Sequence, residues 1–310
     1  MMQLLSGCVL LAALAWLAPA AAVAPGPPAK VRVVCTLADL AALAREVGGP
    51  DVEVVNLVDA GQDAHYVDAR PSLMLPLARA DLLIINGLEL EIGWLPPLQR
   101  GARNAAILFG AAGFLDASTA VRPMQTPGTV ASRSQGDVHP AGNPHYLHDA
   151  RAAAAVAQAI GQRLAQLDPG RAARHRGRAA EVSAALSAFA EAQRKRFSTL
   201  PAERRRVVVY HQSLVYLLDW LGLEQAAAIE PLPGIPPNPG HIAKVLVTMR
   251  AQAVPAVLQE PYYPRNAAET LARLAKAKLV VVPGGADVDR GESYLVRIRR
   301  TVEAIHVALR

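Results

Sequence analysis

Cysteine is scarce in this sequence, two in 310 residues. That excludes a disulfide-held scaffold and any thiolate-rich zinc or iron–sulfur module, so a metal site has to be built from the eight histidines and the carboxylates. Aromatic residues are few as well, at 5%. No nucleic-acid recognition motif accompanies the basic residues, which cluster at 171–178, 194–206 and 297–310 and read as solvated helix faces despite a net charge of +6. Charged residues make up 19% of the chain against 52% hydrophobic, too little charge and too much apolar material for a disordered polypeptide. After the first 30 residues no run approaches the roughly 18 consecutive apolar positions of a membrane span, so the mature chain is expected not to cross one.

Residues 1–30 are of a different character. No charged residue precedes Lys30, and an apolar run over 8–17 ends in Ala18-Pro19-Ala20-Ala21-Ala22. A short hydrophobic stretch followed by small residues is the pattern of a cleaved secretory signal, here assigned to 1–24. Leu5-Ser6-Gly7-Cys8 also fits a lipoprotein box, but its hydrophobic run follows the cysteine instead of preceding it, which favours soluble export over a lipid anchor. Cleavage removes Cys8 and leaves Cys35 alone in a buried-strand pattern, where it reads as a small core residue.

At roughly 150 residues per domain the length suggests two domains. Short apolar runs punctuated by Gly and Pro predict strands at 31–35, 52–57 and 82–86 with helices at 37–47 and 71–80, and a fourth strand at 105–108. From 149 to 198 the texture changes to Ala, Arg, Gln and Glu, broken at Asp168-Pro169-Gly170, which predicts one long helix or two in tandem. Alternation then resumes, with strands at 206–210, 226–230, 256–259 and 279–282 and helices at 214–221, 241–252, 267–276 and 294–309. The fold class is α/β: an N-terminal lobe at 30–148, a linking helix at 149–198 and a C-terminal lobe at 204–310, each lobe with a parallel sheet.

Four histidines fall where a loop meets an ordered element: His65 after the second strand, His145 before the long helix, His211 directly after the strand Val207-Val208-Val209-Tyr210, and His241 at a helix start. Ligands of open α/β sheets bind at the carboxyl ends of strands, where His65 and His211 lie. Imidazoles drawn from distant parts of a chain suit zinc, but the spacings match no short-range zinc motif, and exposed or hydrogen-bonded histidines would look the same.

The local contexts add to this. Gly61-Gln62-Asp63-Ala64-His65-Tyr66 with Asn86-Gly87, then Asn143-Pro144-His145-Tyr146 with Asp149, Tyr210-His211-Gln212-Ser213 with Tyr216, and Glu230-Pro231 through Pro239-Gly240-His241, occur in the order of the cluster A-I solute-binding proteins. The chain resembles that family, the zinc and manganese receptors of ABC importers, over nearly all of its mature length. The resemblance implies two Rossmann-like lobes joined by a rigid helix, with metal in the cleft held by His65, His145 and His211. Manganese members are expected to carry a carboxylate where His211 stands, so an imidazole there favours Zn2+ over Mn2+. Family members usually place an Asp just after the last strand, where this chain has Val282-Pro283-Gly284-Gly285. For the fourth ligand Glu260 is preferred, ending a strand beside that of His211 in a sheet of order 2-1-3-4; Asp287, Asp289 and water are the alternatives, and Glu260 as a carboxylate orienting a ligand histidine is the competing role. His139 either touches the cleft or hydrogen-bonds within its loop, His241 caps its helix, and His148, His175 and His306 read as helix-surface residues. With only His139 between Gly113 and Gly142, a long metal-collecting loop is absent or much reduced.

The resemblance implies a periplasmic, monomeric zinc receptor that is not an enzyme and delivers its ion to an ABC transporter membrane permease, with no nucleic-acid partner. The alternatives are a secreted zinc-dependent hydrolase, for which no general-base motif is present, and an adhesion protein should Cys8 be lipidated.

Overall fold

In each half of the chain the central strands are nearly continuous apolar runs, the composition required of parallel strands covered on both faces. The computed structural model describes residues 29–126 and 139–310; the expected export signal, with Cys8, lies outside the described residues. The first sheet contains β1 (Val31–Leu37), β2 (Val52–Val58), β3 (Leu82–Ile85) and β4 (Phe114–Asp116), all parallel and in the order β2-β1-β3-β4. The second contains β5 (Arg206–Val209), β6 (Glu224–Ala228), β7 (Ala256–Gln259) and β8 (Lys278–Val281), parallel and in the equivalent order β6-β5-β7-β8. Around the first lie α1 (Ala38–Gly48), α2 (Met74–Arg79) and α3 (Leu95–Gly101); around the second, α6 (Val215–Leu221), α7 (Pro239–Ala251), α8 (Arg265–Ala275) and α9 (Tyr294–Leu309). This is the two-lobed α/β fold expected.

The fourth strand is not at 105–108. Ala105–Ile107 is a 3₁₀ turn, because Asn104 Oδ1 accepts from Ala106 N at 3.1 Å while its Nδ2 donates to the carbonyls of Leu77 and Ala80 at 2.9 and 2.8 Å. The chain reaches the sheet only after Gly113, where a Cβ would lie 2.4 Å from Asp81 O and 2.5 Å from Ala106 O.

The link is two helices, α4 (Ala150–Leu167) and α5 (Ala172–Ser198). Pro169 cannot continue the first, and α5 folds back so that Gln158 Nε2 reaches Ala179 O at 3.4 Å and Gly161 faces the Ala179 side chain. At ~1.5 Å per residue α5 is about 40 Å long. Its far half therefore extends to the second lobe, where Trp220 Nε1 donates to Ala190 O at 3.0 Å.

One apolar core runs through the whole assembly, from Val33 and Leu43 through Ile160 and Leu186 to Val209, Leu258 and Ile298. Separate clusters cover the outer faces, around Leu83 and Trp94 in one lobe and Val257 and Leu271 in the other. Lobes that share a core cannot swing apart without exposing it. Among the described residues no helix is long and apolar enough to cross a membrane.

Candidate metal centre

His65 lies in the loop after β2. The Asp63 carboxylate accepts both its backbone N–H, at 3.0 Å, and its ring Nδ1–H, at 2.7 Å, and Trp94 Nε1 pins the loop by donating to Ala64 O at 2.9 Å. Because a carboxylate only accepts, the ring proton stays on Nδ1 and Nε2 is left for a ligand. His211, two residues after the end of β5, repeats the arrangement: its Nδ1 donates to Glu230 Oε2 at 2.7 Å, and the same oxygen accepts from Gly234 N at 3.0 Å. Tyr263 stacks on the His211 ring, the centroids 5.8 Å apart.

His145 is placed by its neighbours in sequence. Asn143 Oδ1 accepts from His145 N at 3.0 Å, Asn143 Nδ2 donates to Gln212 O at 2.8 Å, and Asn143 O accepts from the Tyr216 hydroxyl at 2.7 Å. Pro144 O accepts from Asn86 Nδ2 at 2.9 Å, and Asn86 O accepts from the Tyr146 hydroxyl at 2.6 Å. Asn143 thus ties the exit of the first lobe to the residue after His211. His145 Nε2 is shielded from solvent and has no hydrogen-bond partner. An unsatisfied buried acceptor costs about 1–3 kcal/mol, a cost that a bound cation removes.

The fold brings His65, His145 and His211 together. One ring nitrogen from each lies within 4.8 Å of the others, with centroid separations of 5.0 Å (His65–His145), 5.5 Å (His145–His211) and 5.9 Å (His65–His211). Nitrogens at 2.0–2.1 Å from a tetrahedral zinc ion stand about 3.4 Å apart. Closing from 4.8 Å therefore requires the rings to draw in by at most about 1.4 Å. Beside this set, and outside the three whose nitrogens lie within 4.8 Å of one another, is His139, its Nε2 at 3.2 Å from His65 Nε2.

Glu260 is not brought into that set. It is fully buried at the end of β7; its Oε1 accepts from the Ser213 hydroxyl, and Oε2 has no hydrogen-bond partner. Asp287 and Asp289 line a different cavity, with Asp59 and Arg300, and Asp287 caps its own turn by accepting from Arg290 N at 3.2 Å. Gly284 belongs to the run Val282-Pro283-Gly284-Gly285, which follows the last strand where the resemblance implies an Asp. A Cβ there would lie 2.5 Å from Ala60 O, so the approach of the first lobe's loop leaves no room for a side chain.

Burial pulls the His211 pKa down, but Glu230, with Glu260 and Asp63, outweighs it and holds the ring above 6.5. Burial and then the neighbouring imidazoles hold His145 well below 6.5. Burial would push Asp63 up, yet the hydrogen bonds and charge of His65 keep its carboxyl below the usual range. A metal ion must displace the His211 proton. Zinc affinity is therefore expected to fall by at least about one decade per pH unit below that raised pKa, with His145, held well below 6.5, contributing less to the loss than His211. Competition titrations from about pH 8 to about pH 5.5 check this; a flat profile would contradict it. In the metal-free fold the His211–Glu230 pair acts with the opposite sign: a raised folded pKa contributes stability below 6.5 that is lost as pH rises through the folded value.

The remaining histidines are structural, and three lie deeper than expected. His148 Nδ1 accepts from Arg297 at 3.1 Å, His175 bonds Asp168 at 3.0 Å, and His306 Nδ1 accepts from Arg196 at 2.9 Å; all three are buried because a second helix or lobe covers their outward faces. His241 Nε2 donates to Ala228 O at 2.9 Å, while Asn238 caps the helix. Asp63 and Glu230 were missed as supports of the histidines. Both stand inside the recognised motifs, but nothing local marks Glu230, 19 residues from His211, as its partner.

A family model described as zinc-uptake complex component A, periplasmic (ZnuA) matches residues 33–308. The manganese ABC transporter substrate-binding lipoprotein PsaA of Streptococcus pneumoniae is 22% identical over 283 residues, covering 89% of this chain and 88% of that protein. A putative metal-binding protein of Treponema pallidum (strain Nichols) is 23% identical over 281 residues, covering 90% and 87%. A crystal structure of ZnuA superposes with a TM-score of 0.75 at 19% identity, over 91% of this chain and 100% of that one.

Proposed function

This chain belongs to the ZnuA family of metal ABC transporter substrate-binding proteins, and we propose that within it the protein is a periplasmic receptor that captures Zn2+ and hands it to its importer's membrane permease. Members of the family are solute-binding receptors and not enzymes, so the hydrolase alternative falls. The ligands in this reading are His65, His145 and His211. One observation carries it: three nitrogens converge within 4.8 Å and, among the described residues, no carboxylate joins them. Borderline-soft imidazole suits zinc, whereas manganese favours carboxylate, carbonyl and water oxygen. The PsaA relative is a manganese protein by name, which makes the donor set the feature to weigh here.

The binding chemistry needs no reaction. Imidazoles whose outer nitrogens are already engaged by Asp63 and Glu230 replace water around the ion, and that prior orientation lowers the entropic cost of capture. Glu260, outside the three-histidine set, is a buried carboxyl whose pKa burial pushes up; it acts electrostatically on His211 and keeps its Oε2 without a hydrogen-bond partner. Soluble export after removal of 1–24, action as a monomer, and the division into lobes at 30–148 and 204–310 about a 149–198 link belong to the same reading.

Titration of the metal-free mature protein with Zn2+ and Mn2+ tests the proposal. One zinc per chain is expected, with manganese weaker by at least about tenfold. Failure to bind zinc at micromolar concentration, or tighter binding of manganese, would reject it.

A further inference from the structure

We propose that His139 is the fourth metal donor, completing an all-imidazole site with His65, His145 and His211; this rests on the zinc-receptor reading and goes beyond it by assigning the residue that makes the site nitrogen-only. Three observations converge. First, His139 Nε2 lies 3.2 Å from His65 Nε2, close to the ~3.4 Å edge between two nitrogens on one tetrahedral zinc ion. In the metal-free chain that contact is a hydrogen bond. His65 has its Nδ1 proton committed to Asp63, so its Nε2 accepts from His139, and an ion would take the place of the shared proton.

Second, His139 lines the same pocket as His145 and His211, and its ring centroid is 5.3 Å from that of His65; it lies outside the set within 4.8 Å, so it must move in towards His145 and His211 as the ion binds. Its backbone is fixed there by the turn in which Gly142 N donates to His139 O at 3.1 Å. Third, most carboxylates that would compete are committed elsewhere: Asp63 and Glu230 hold the far sides of His65 and His211, and Asp287 caps its own turn in another cavity. Glu260 is the remaining competitor, because its Oε1 accepts from Ser213 while its buried Oε2 has no hydrogen-bond partner, and Glu260→Gln tests it directly.

An all-nitrogen set has a direct consequence for selectivity. Removing the last possible carboxylate from the donors penalises manganese more than zinc, so His139 is the residue that widens the margin between the two ions. Being half-buried on a loop, it contributes less than the three inner ligands, since water can take its place.

The test uses the full mature protein and its His139→Ala, His139→Asp, Glu260→Gln and His65→Ala variants. Zn2+ and Mn2+ affinities are measured by competition, and visible spectra are recorded with Co2+ as the probe ion. His139→Ala should weaken zinc about ten- to a hundredfold, change the Co2+ ligand-field bands, and leave manganese affinity nearly as it was. His139→Asp should keep a donor, recover binding and shift selectivity towards manganese. Glu260→Gln should leave the Co2+ bands in place. Nitrogen-15 spectra of the zinc-loaded wild type provide a readout that needs no variant, with four histidine ring nitrogens expected to take the metal-bound shift. If the wild type binds zinc and His65→Ala does not, while His139→Ala leaves both affinity and Co2+ spectrum unchanged, this inference fails and the receptor reading stands. A wild type that binds no zinc would overturn both.

Discussion

Replacing His145 by alanine is expected to weaken zinc binding by about a hundred- to a thousandfold. Structural zinc sites bind with roughly 10–16 kcal/mol, or about 2.5–4 kcal/mol for each of four ligands, and 1.4 kcal/mol is a factor of ten. His145 should reach the full share because its ring has the two shortest separations in the set, 5.0 Å to His65 and 5.5 Å to His211, and its Nε2 is buried with nothing else to bind. The substitution leaves the surrounding frame in place. The bonds that build the loop run through the His145 backbone, Asn143 and Pro144, and none of them uses the imidazole. The metal-free variant should therefore melt within a few degrees of the wild type, while the stabilisation by zinc, about 4 kcal/mol at a thousandfold excess over the wild-type Kd, should fall to about 0.4–1.4 kcal/mol at the same zinc concentration. An unchanged zinc-induced shift in melting temperature would remove His145 from the site.

The largest stability effect is expected at Arg297. This side chain is fully buried on α9; it donates to His148 Nδ1 at 3.1 Å and to Pro283 O at 2.8 Å, and pairs with Asp39 of α1 at 3.5 Å. Asp39 in turn accepts from Ala286 N at 2.8 Å, so one charge pair joins the first helix of the N-terminal lobe to the last strand exit and last helix of the other. Removing one member of a buried pair leaves the other charge uncompensated and costs about 3–5 kcal/mol. Burial already pushes the Asp39 pKa up against the pull of Arg297, so in Arg297→Ala the carboxyl takes up a proton, which limits the cost to that range. The double variant Asp39→Asn with Arg297→Met removes both charges while keeping volume, and should lose less than Arg297→Ala alone. Denaturant unfolding of the three proteins measures this. A loss below about 1 kcal/mol for Arg297→Ala would show that the pair does not hold the lobes together.

Much of the architecture can be read from local pattern. The limits of α9 are those expected from the sequence, because apolar periodicity and Gly/Pro punctuation act over a few residues; the order 2-1-3-4, found in both sheets, is set by pairings between distant strands. The exceptions are just as physical. Residues 105–108 form a turn because of Asn104 contacts to a helix more than 20 residues earlier, which no local window contains. His148, His175 and His306 looked like surface positions because helical periodicity reports one face at a time and does not know what lies against the other.

The same division applies to the site. By itself the sequence determined two parallel α/β halves and placed His65 and His211 at the carboxyl ends of their strands, since strand identity and the loop after it are encoded in neighbouring residues. Only the tertiary structure decided which groups surround those histidines. It set Asp63 and Glu230 behind the rings and bonded Glu260 to Ser213. It also brought His139 to 3.2 Å from His65 and passed the Asn143 amide across the cleft to Gln212. Those contacts depend on how two lobes pack around one shared core, which is a sum over side chains far apart in the chain and has no local signature.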